Sequence, residues 1–154
     1  MPRTYHSSAV LLPDGRVFTG GGGLCGDCGV NHLNAEMFNP PYLFTADGSR
    51  AARPHVVLPV RIVPLGATFD VFSSDDSPIA SVAIVRYSAA THSTNTDQRR
   101  IGLCGFFTEA CAGSRLSLRL PDDPGIAPPG NWMLFSFNGA GVPSVSRHLR
   151  ITRK

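Results

Sequence analysis

The sequence is poor in charge. Only 16% of its 154 residues are Asp, Glu, Lys or Arg, against roughly a quarter in an average soluble domain. Yet 42% are hydrophobic, and this rules out the low-hydrophobicity, high-charge signature of disorder. Lysine is almost missing, since all but one of the 14 basic residues are arginine and the exception is Lys154. The net charge of +3 is small and no basic stripe interleaves with aromatics, so no nucleic-acid partner is expected. The Arg99–Arg100 pair reads as a local structural pair. No apolar run approaches the ~20 residues that span a bilayer, so no membrane partner is expected either. A basic segment followed by an apolar stretch is also lacking near Met1, so no signal peptide is expected in this chain.

What is abundant is punctuation. The chain holds 16 Gly and 13 Pro, residues that interrupt helices and suit short strands joined by turns. Ser8–Leu12 and Arg16–Thr19 flank Pro13-Asp14-Gly15, which reads as a β-hairpin. Gly20–Gly23 then breaks the strand, and Ala35–Asn39 reads as another short one. Residues 45–54 are polar and read as a linker. Seven candidate strands follow: His55–Val60, Thr68–Phe72, Ser81–Tyr87, Ile101–Phe107, Ser114–Leu120, Trp132–Asn138 and Val145–Thr152. The alternation of Leu116, Leu118 and Leu120 with Ser117 and Arg119 is the cleanest of them. Seven short strands in about a hundred residues predict an immunoglobulin-like sandwich, with Trp132 in its core. The first forty residues are too little for a sheet of their own. They resemble one blade of a kelch-type propeller, and a blade cannot bury its own faces.

Four cysteines form two local pairs, Cys25/Cys28 and Cys104/Cys111. Local pairing is the simplest of three connectivities, and two disulfides would indicate an oxidising compartment. A zinc ribbon wants a second CxxC knuckle, and the second pair here is CxxxxxxC. A redox CxxC belongs at the start of a helix, and here a glycine run precedes it. Four free thiols are the remaining alternative.

The metal-binding candidates are histidines. His32, His55 and His148 read as ordinary surface or core residues. His6 differs because Tyr5 precedes it, and neighbours in a regular strand point to opposite faces. Both can address one metal only where a strand starts, bulges or twists, as it does just before Ser7–Leu12. His92 lies in a long polar loop between two expected strands, a place from which a side chain can be carried to another domain. One phenol and two imidazoles make an N,N,O set that suits tetragonal Cu(II), and also Zn or Fe.

Longer blocks of sequence carry a resemblance. Arg3-Thr4-Tyr5-His6-Ser7, Leu11-Leu12-Pro13-Asp14-Gly15-Arg16-Val17, Gly20–Gly23 with Leu24-Cys25-Gly26-Asp27-Cys28, and Asn31-His32 resemble the galactose oxidase and glyoxal oxidase family of copper radical oxidases. So do Thr91-His92-Ser93-Thr94-Asn95-Thr96-Asp97-Gln98-Arg99-Arg100 and Pro129-Gly130-Asn131-Trp132-Met133-Leu134-Phe135. The resemblance implies an all-β chain made of a partial propeller blade, residues 1–45, and an immunoglobulin-like early-set sandwich, residues 46–154. It implies that copper is held by Tyr5 as axial ligand and proton acceptor, by His6, and by His92 on a loop inserted into the propeller's channel. It implies a Cys25–Cys28 disulfide. Cys104 and Cys111 match no family motif and are expected to clip a hairpin of the sandwich.

The resemblance also sets what the chain does not carry. The family oxidises primary alcohols, carbohydrates among them, or aldehydes with O₂, giving hydrogen peroxide. Its second oxidising equivalent rests on a tyrosine–cysteine radical cofactor that lies upstream. Tyr42 and Tyr87 do not match that tyrosine's surroundings. The expectation is therefore the C-terminal part of a secreted oxidase, whose partners are the missing blades, and which is inactive alone. The alternatives are a non-catalytic immunoglobulin-like module that binds carbohydrate or protein, and a functionless cytoplasmic relic. In the isolated chain the segment 88–99 is expected to be mobile, and the first hairpin to have exposed edges that invite association.

Overall fold

A computed structural model describes residues 3, 5–23, 27, 29–106, 108–111 and 113–154. The chain is all-β. The one helical segment among the described residues is a 3-10 turn at Pro41–Leu43.

The N-terminal part is a three-stranded antiparallel sheet in the order β1 (Ser7–Leu11), β2 (Val17–Gly21), β3 (Ala35–Phe38). The Pro13-Asp14-Gly15 turn closes β1 on β2 as its composition predicts. Leu12 N donates to Arg16 O at 2.8 Å and Gly15 N to Leu12 O at 2.9 Å. The Asp14 carboxylate accepts from Arg16 N at 3.0 Å and from its Nε at 2.7 Å. β3 is exposed along its length.

The rest is a sandwich. One sheet has the order β10 (Arg100–Cys104), β7 (Ser81–Arg86), β12 (Gly130–Phe137), β13 (Arg147–Thr152), β5 (Ile62–Pro64). The facing sheet is β11 (Arg115–Arg119), β6 (Thr68–Ser73), β4 (Val56–Val57). Leu116 and Leu118 point inward from β11 and meet Val71, Val82, Ile84, Trp132, Leu134 and Leu149 in one core. Trp132 is wholly buried, its Nε1 donating to Pro128 O at 3.2 Å. Met133 and Phe135 alternate with these core residues on β12 and are buried too. Phe135 faces a cleft that Leu11, Gly15 and Tyr42 share, so this strand is covered on both sides. That explains an uninterrupted apolar run in place of alternation.

Three elements differ from the sequence reading. The expected strand His55–Val60 is cut to β4, Val56–Val57, short of Pro59, which offers no N–H to a ladder, and β5 beyond it is not among the expected strands. β4 stays in one sheet, and the chain crosses to lay β5 parallel to β13 in the other. The expected strand Ile101–Phe107 stops at Cys104. Gly105 follows with φ +79°, and a Cβ there would come within 2.2 Å of Ala80 O, so the backbone turns where only glycine fits. Phe107 itself lies outside the described residues. The expected linker, residues 45–54, is held by the residues around it. Leu43 and Ala51 are buried, and Arg53 donates to Asp14 O, Pro143 O and Ser144 O at 2.6–2.8 Å.

The Cys104–Cys111 disulfide spans the connection from β10 to β11, with Cα atoms 5.3 Å apart. The pairing expected for Cys25 and Cys28 falls outside the described residues.

Candidate metal centre

Tyr5 and His6 sit in a turn immediately before β1. His6 has φ +58°, a left-handed conformation uncommon for a residue with a side chain. The turn brings the two neighbouring rings together, with centroids 4.0 Å apart and planes at 39°. The glycine run holds the turn from the other side. Gly23 N donates to Tyr5 O at 2.8 Å, and the Arg3 guanidinium donates to Gly21 O at 2.9 Å and Asn34 O at 3.2 Å.

His92 arrives from the sandwich. The polar loop expected between two strands forms a hairpin, β8 (Ala90–Thr91) and β9 (Thr94–Asn95), with Thr91 paired to Thr94. That register leaves His92 and Ser93 as a two-residue loop, both with positive φ, +48° and +64°. This is the backbone sense that suits a tight hairpin. The hairpin base is braced by polar groups. The Asn95 carboxamide oxygen accepts from Ala89 N and Asp97 N, both at 3.2 Å. Arg86 Nε donates to Asp97 at 2.7 Å, and its Nη1 donates to Pro128 O and Pro129 O. The tip is docked on β1, where Ser93 N donates to Ser7 O at 2.9 Å.

The hairpin therefore delivers His92 to the pair at the head of β1. Its ring centroid is 4.8 Å from His6 and 5.7 Å from Tyr5. His6 Nδ1 lies 3.2 Å from Gly23 O. A carbonyl only accepts, so Nδ1 carries the proton and Nε2 keeps its lone pair. Thr91 Oγ1 lies 2.8 Å from His92 Nδ1. When that nitrogen is the donor, the free lone pair of His92 is also on Nε2. Tyr5 is 46% exposed, so solvent and solutes reach this corner. Among the described residues no three His, Cys, Asp or Glu side chains gather to hold a metal. The group that does converge contains two imidazoles and one phenol, an N,N,O donor set suited to Cu(II), Zn or Fe.

The other candidates stay apart from this cluster. His148 lies beside Tyr87, with ring centroids 5.8 Å apart. His55 is exposed and His32 packs against Gly22. Arg99 donates to Gly125 O and Ile126 O, and Arg100 stacks on Phe106 at 3.9 Å, as a structural pair would. Sequence reasoning missed Ser7, Ser93, Arg86 and Asp97. Only the polar composition of residues 88–99 hinted at the braces.

Residues 53–151 match the model of the galactose oxidase-like, early set domain. Galactose oxidase of Gibberella zeae is 47% identical over 152 residues, which take in 98% of this chain and 22% of that protein. The aldehyde oxidase GLOX of Vitis pseudoreticulata is 37% identical over 162 residues, 98% of this chain and 30% of the relative. Among solved structures, a fungal alcohol oxidase of the AA5 family in complex with copper superposes with a TM-score of 0.86 at 42% identity, over 99% of this chain and 32% of that one. The chain thus spans between a fifth and a third of the length of these relatives.

Proposed function

This chain belongs to the galactose oxidase-like, early set family, and from that premise we propose that it supplies three ligands, Tyr5, His6 and His92, to the copper site of a secreted alcohol or aldehyde oxidase. The observation that carries the reading is the convergence of the three rings within 5.7 Å. They come from two elements that are 86 residues apart in sequence where they touch. The donor set suits Cu(II), and the copper-bound fungal alcohol oxidase supports that choice of metal.

Bound copper would supply a one-electron couple and a positive charge that eases proton loss from an alcohol oxygen. The chain's own groups do the rest. His6 Nε2 offers a neutral lone pair, fixed by the bond from Nδ1 to Gly23 O, and His92 Nε2 offers another in the tautomer whose Nδ1 donates to Thr91 Oγ1. Tyr5 Oη takes the hydroxyl proton of the substrate, which is general-base work. The overall reaction converts a primary alcohol and O₂ to an aldehyde and H₂O₂, and an aldehyde substrate, through its hydrate, to an acid. The tyrosine–cysteine radical cofactor and the remaining blades would come from the rest of the parent protein. Residues 1–45 would form its last blade and residues 46–154 its early-set domain. The exposed Phe18, Met37 and Phe38 of the N-terminal sheet support a covering by further blades.

Copper titration followed by electron paramagnetic resonance tests this reading. The chain is expected to bind Cu(II) with nitrogen hyperfine structure from two imidazoles. His6→Ala and His92→Ala should each remove one nitrogen and weaken binding by roughly tenfold or more. Unchanged affinity and spectrum in both variants would refute the ligand assignment. A peroxide-coupled assay with galactose and glyoxal should show no turnover by this chain alone. Peroxide above the His92→Ala background would show that expectation to be wrong.

A further inference from the structure

Each imidazole of the cluster is followed by a serine, and the two serines touch. Ser93 N donates to Ser7 O at 2.9 Å, and their hydroxyls lie 3.1 Å apart. This double contact joins the N-terminal sheet to the β8–β9 hairpin one residue beyond His6 and one residue beyond His92. It sits where the backbone is strained. Four described residues with side chains have left-handed φ, and three of them are His6, His92 and Ser93. Such conformations persist only where the surroundings over-determine them. A two-residue hairpin loop of this sense prefers Asn-Gly or Asp-Gly. His-Ser lacks that preference and needs an outside hold.

We propose that Ser7 and Ser93 form a clamp that sets the separation of the His6 and His92 rings, and are thereby positioning residues of the metal site. The inference rests on the copper reading for its purpose but not for its geometry. The backbone half of the clamp docks the hairpin tip on β1. The hydroxyl half adds a second point of contact, which limits pivoting of the tip about the N–H···O bond. Ser7 is 7% exposed and Ser93 is exposed, so the hydroxyl contact is part-buried, with its Ser7 end inside the joint. A pivot at this point moves His92 directly, since the ring is carried by the adjacent residue.

Three variants of the chain test it: Ser7→Ala, Ser93→Gly and the conservative Ser7→Thr. Ser93→Gly keeps the N–H donor and relaxes the left-handed residue, so it removes only the hydroxyl. In the metal-free protein, nuclear Overhauser contacts between the His6 and His92 ring protons report their separation. Cu(II) titration reports affinity. The clamp predicts that Ser7→Ala and Ser93→Gly lose the ring contacts and bind Cu(II) roughly 3- to 10-fold more weakly, the worth of one hydrogen bond. The double variant should be no weaker than the poorer single one, because both remove the same bond. Ser7→Thr, which keeps a hydroxyl in a strand, should behave as wild type. A merely structural role predicts that Ser93→Gly keeps the ring contacts and affinity in step with its fold stability, and that result would overturn the clamp. Wild-type chain that binds no Cu(II) would sink the copper reading instead. The ring contacts would then still decide the clamp: their loss in Ser93→Gly supports it, and their retention overturns it.

Discussion

Asp14 shows how one side chain joins turn chemistry to acid stability. Partial burial pushes its carboxyl up, but the bonds from Arg16 and the charges of Arg16 and Arg53 outweigh this, and the group ends below its ordinary 3.8. Asp47 is held in the same direction, at about 2, chiefly by the Thr45 hydroxyl and then by Ser49. A carboxyl whose folded value lies below its unfolded one stabilises the fold above the unfolded value, and that contribution is lost as pH falls through the folded value. The chain should therefore lose stability on acidification below about pH 4. In Asp14→Asn the amide does not titrate, so urea midpoints should fall less steeply between about pH 4 and pH 2. An identical acid slope in the variant would remove Asp14 from the account. At neutral pH the same variant should be slightly less stable, because an amide accepts from Arg16 without the assistance of charge.

Elements were legible where turn chemistry or alternation announced them. Pro13-Asp14-Gly15 marked β1 and β2, and the leucines of β11 marked a half-buried strand. β8 and β9 were not, since two-residue strands show no period and His-Ser carries none of the usual turn residues. The polar residues that brace this hairpin look in sequence like any solvated loop. The sandwich has a second stiffener in the Cys104–Cys111 disulfide. It closes a loop between β10 and β11 with a sequence separation of 7. Loop-closure entropy for so short a ring gives about 2.5 kcal/mol. The double variant Cys104→Ser/Cys111→Ser should lower unfolding free energy by about that amount in urea. Because β10 pairs with β7, its amides should lose protection from hydrogen exchange before those of β12 and β13. Unaltered stability in the double variant would mean that the β10–β11 connection is already held by its packing.

At the scale of the molecule, the cluster of three rings is split between two bodies, with Tyr5 and His6 on the N-terminal sheet and His92 on the sandwich. The adjacency of Tyr5 to His6 was legible as a pair needing a break in a strand. Their approach to His92 was not, because it depends on how the two bodies dock. The docking has one tie near the cluster, the Ser7–Ser93 contact, and another at the far end of the first hairpin. There the Arg53 guanidinium donates to Asp14 O on the hairpin turn and to Pro143 O and Ser144 O on the sandwich. Ser146 N donates to Pro13 O at 2.8 Å beside it, and within the N-terminal part Tyr42 donates to Gly15 O on the same turn. In sequence Arg53 is one arginine in a polar stretch, indistinguishable from a solvated one. Its planar fork satisfies three carbonyls at once, which a lysine ammonium on a flexible stem does less well. Arg53→Ala would leave those carbonyls facing one another without a donor. The expected cost is about 2–4 kcal/mol. Since the sandwich core lies beyond the joint, Trp132 fluorescence should still report a folded sandwich at temperatures where the N-terminal sheet has detached. Copper affinity should fall in parallel with that detachment, although Arg53 is near none of the three rings, and Arg53→Lys should recover only part of it. If Arg53→Ala melted in a single transition with copper affinity intact up to it, the two bodies would be one cooperative unit, and the placement of His92 would not depend on this tie.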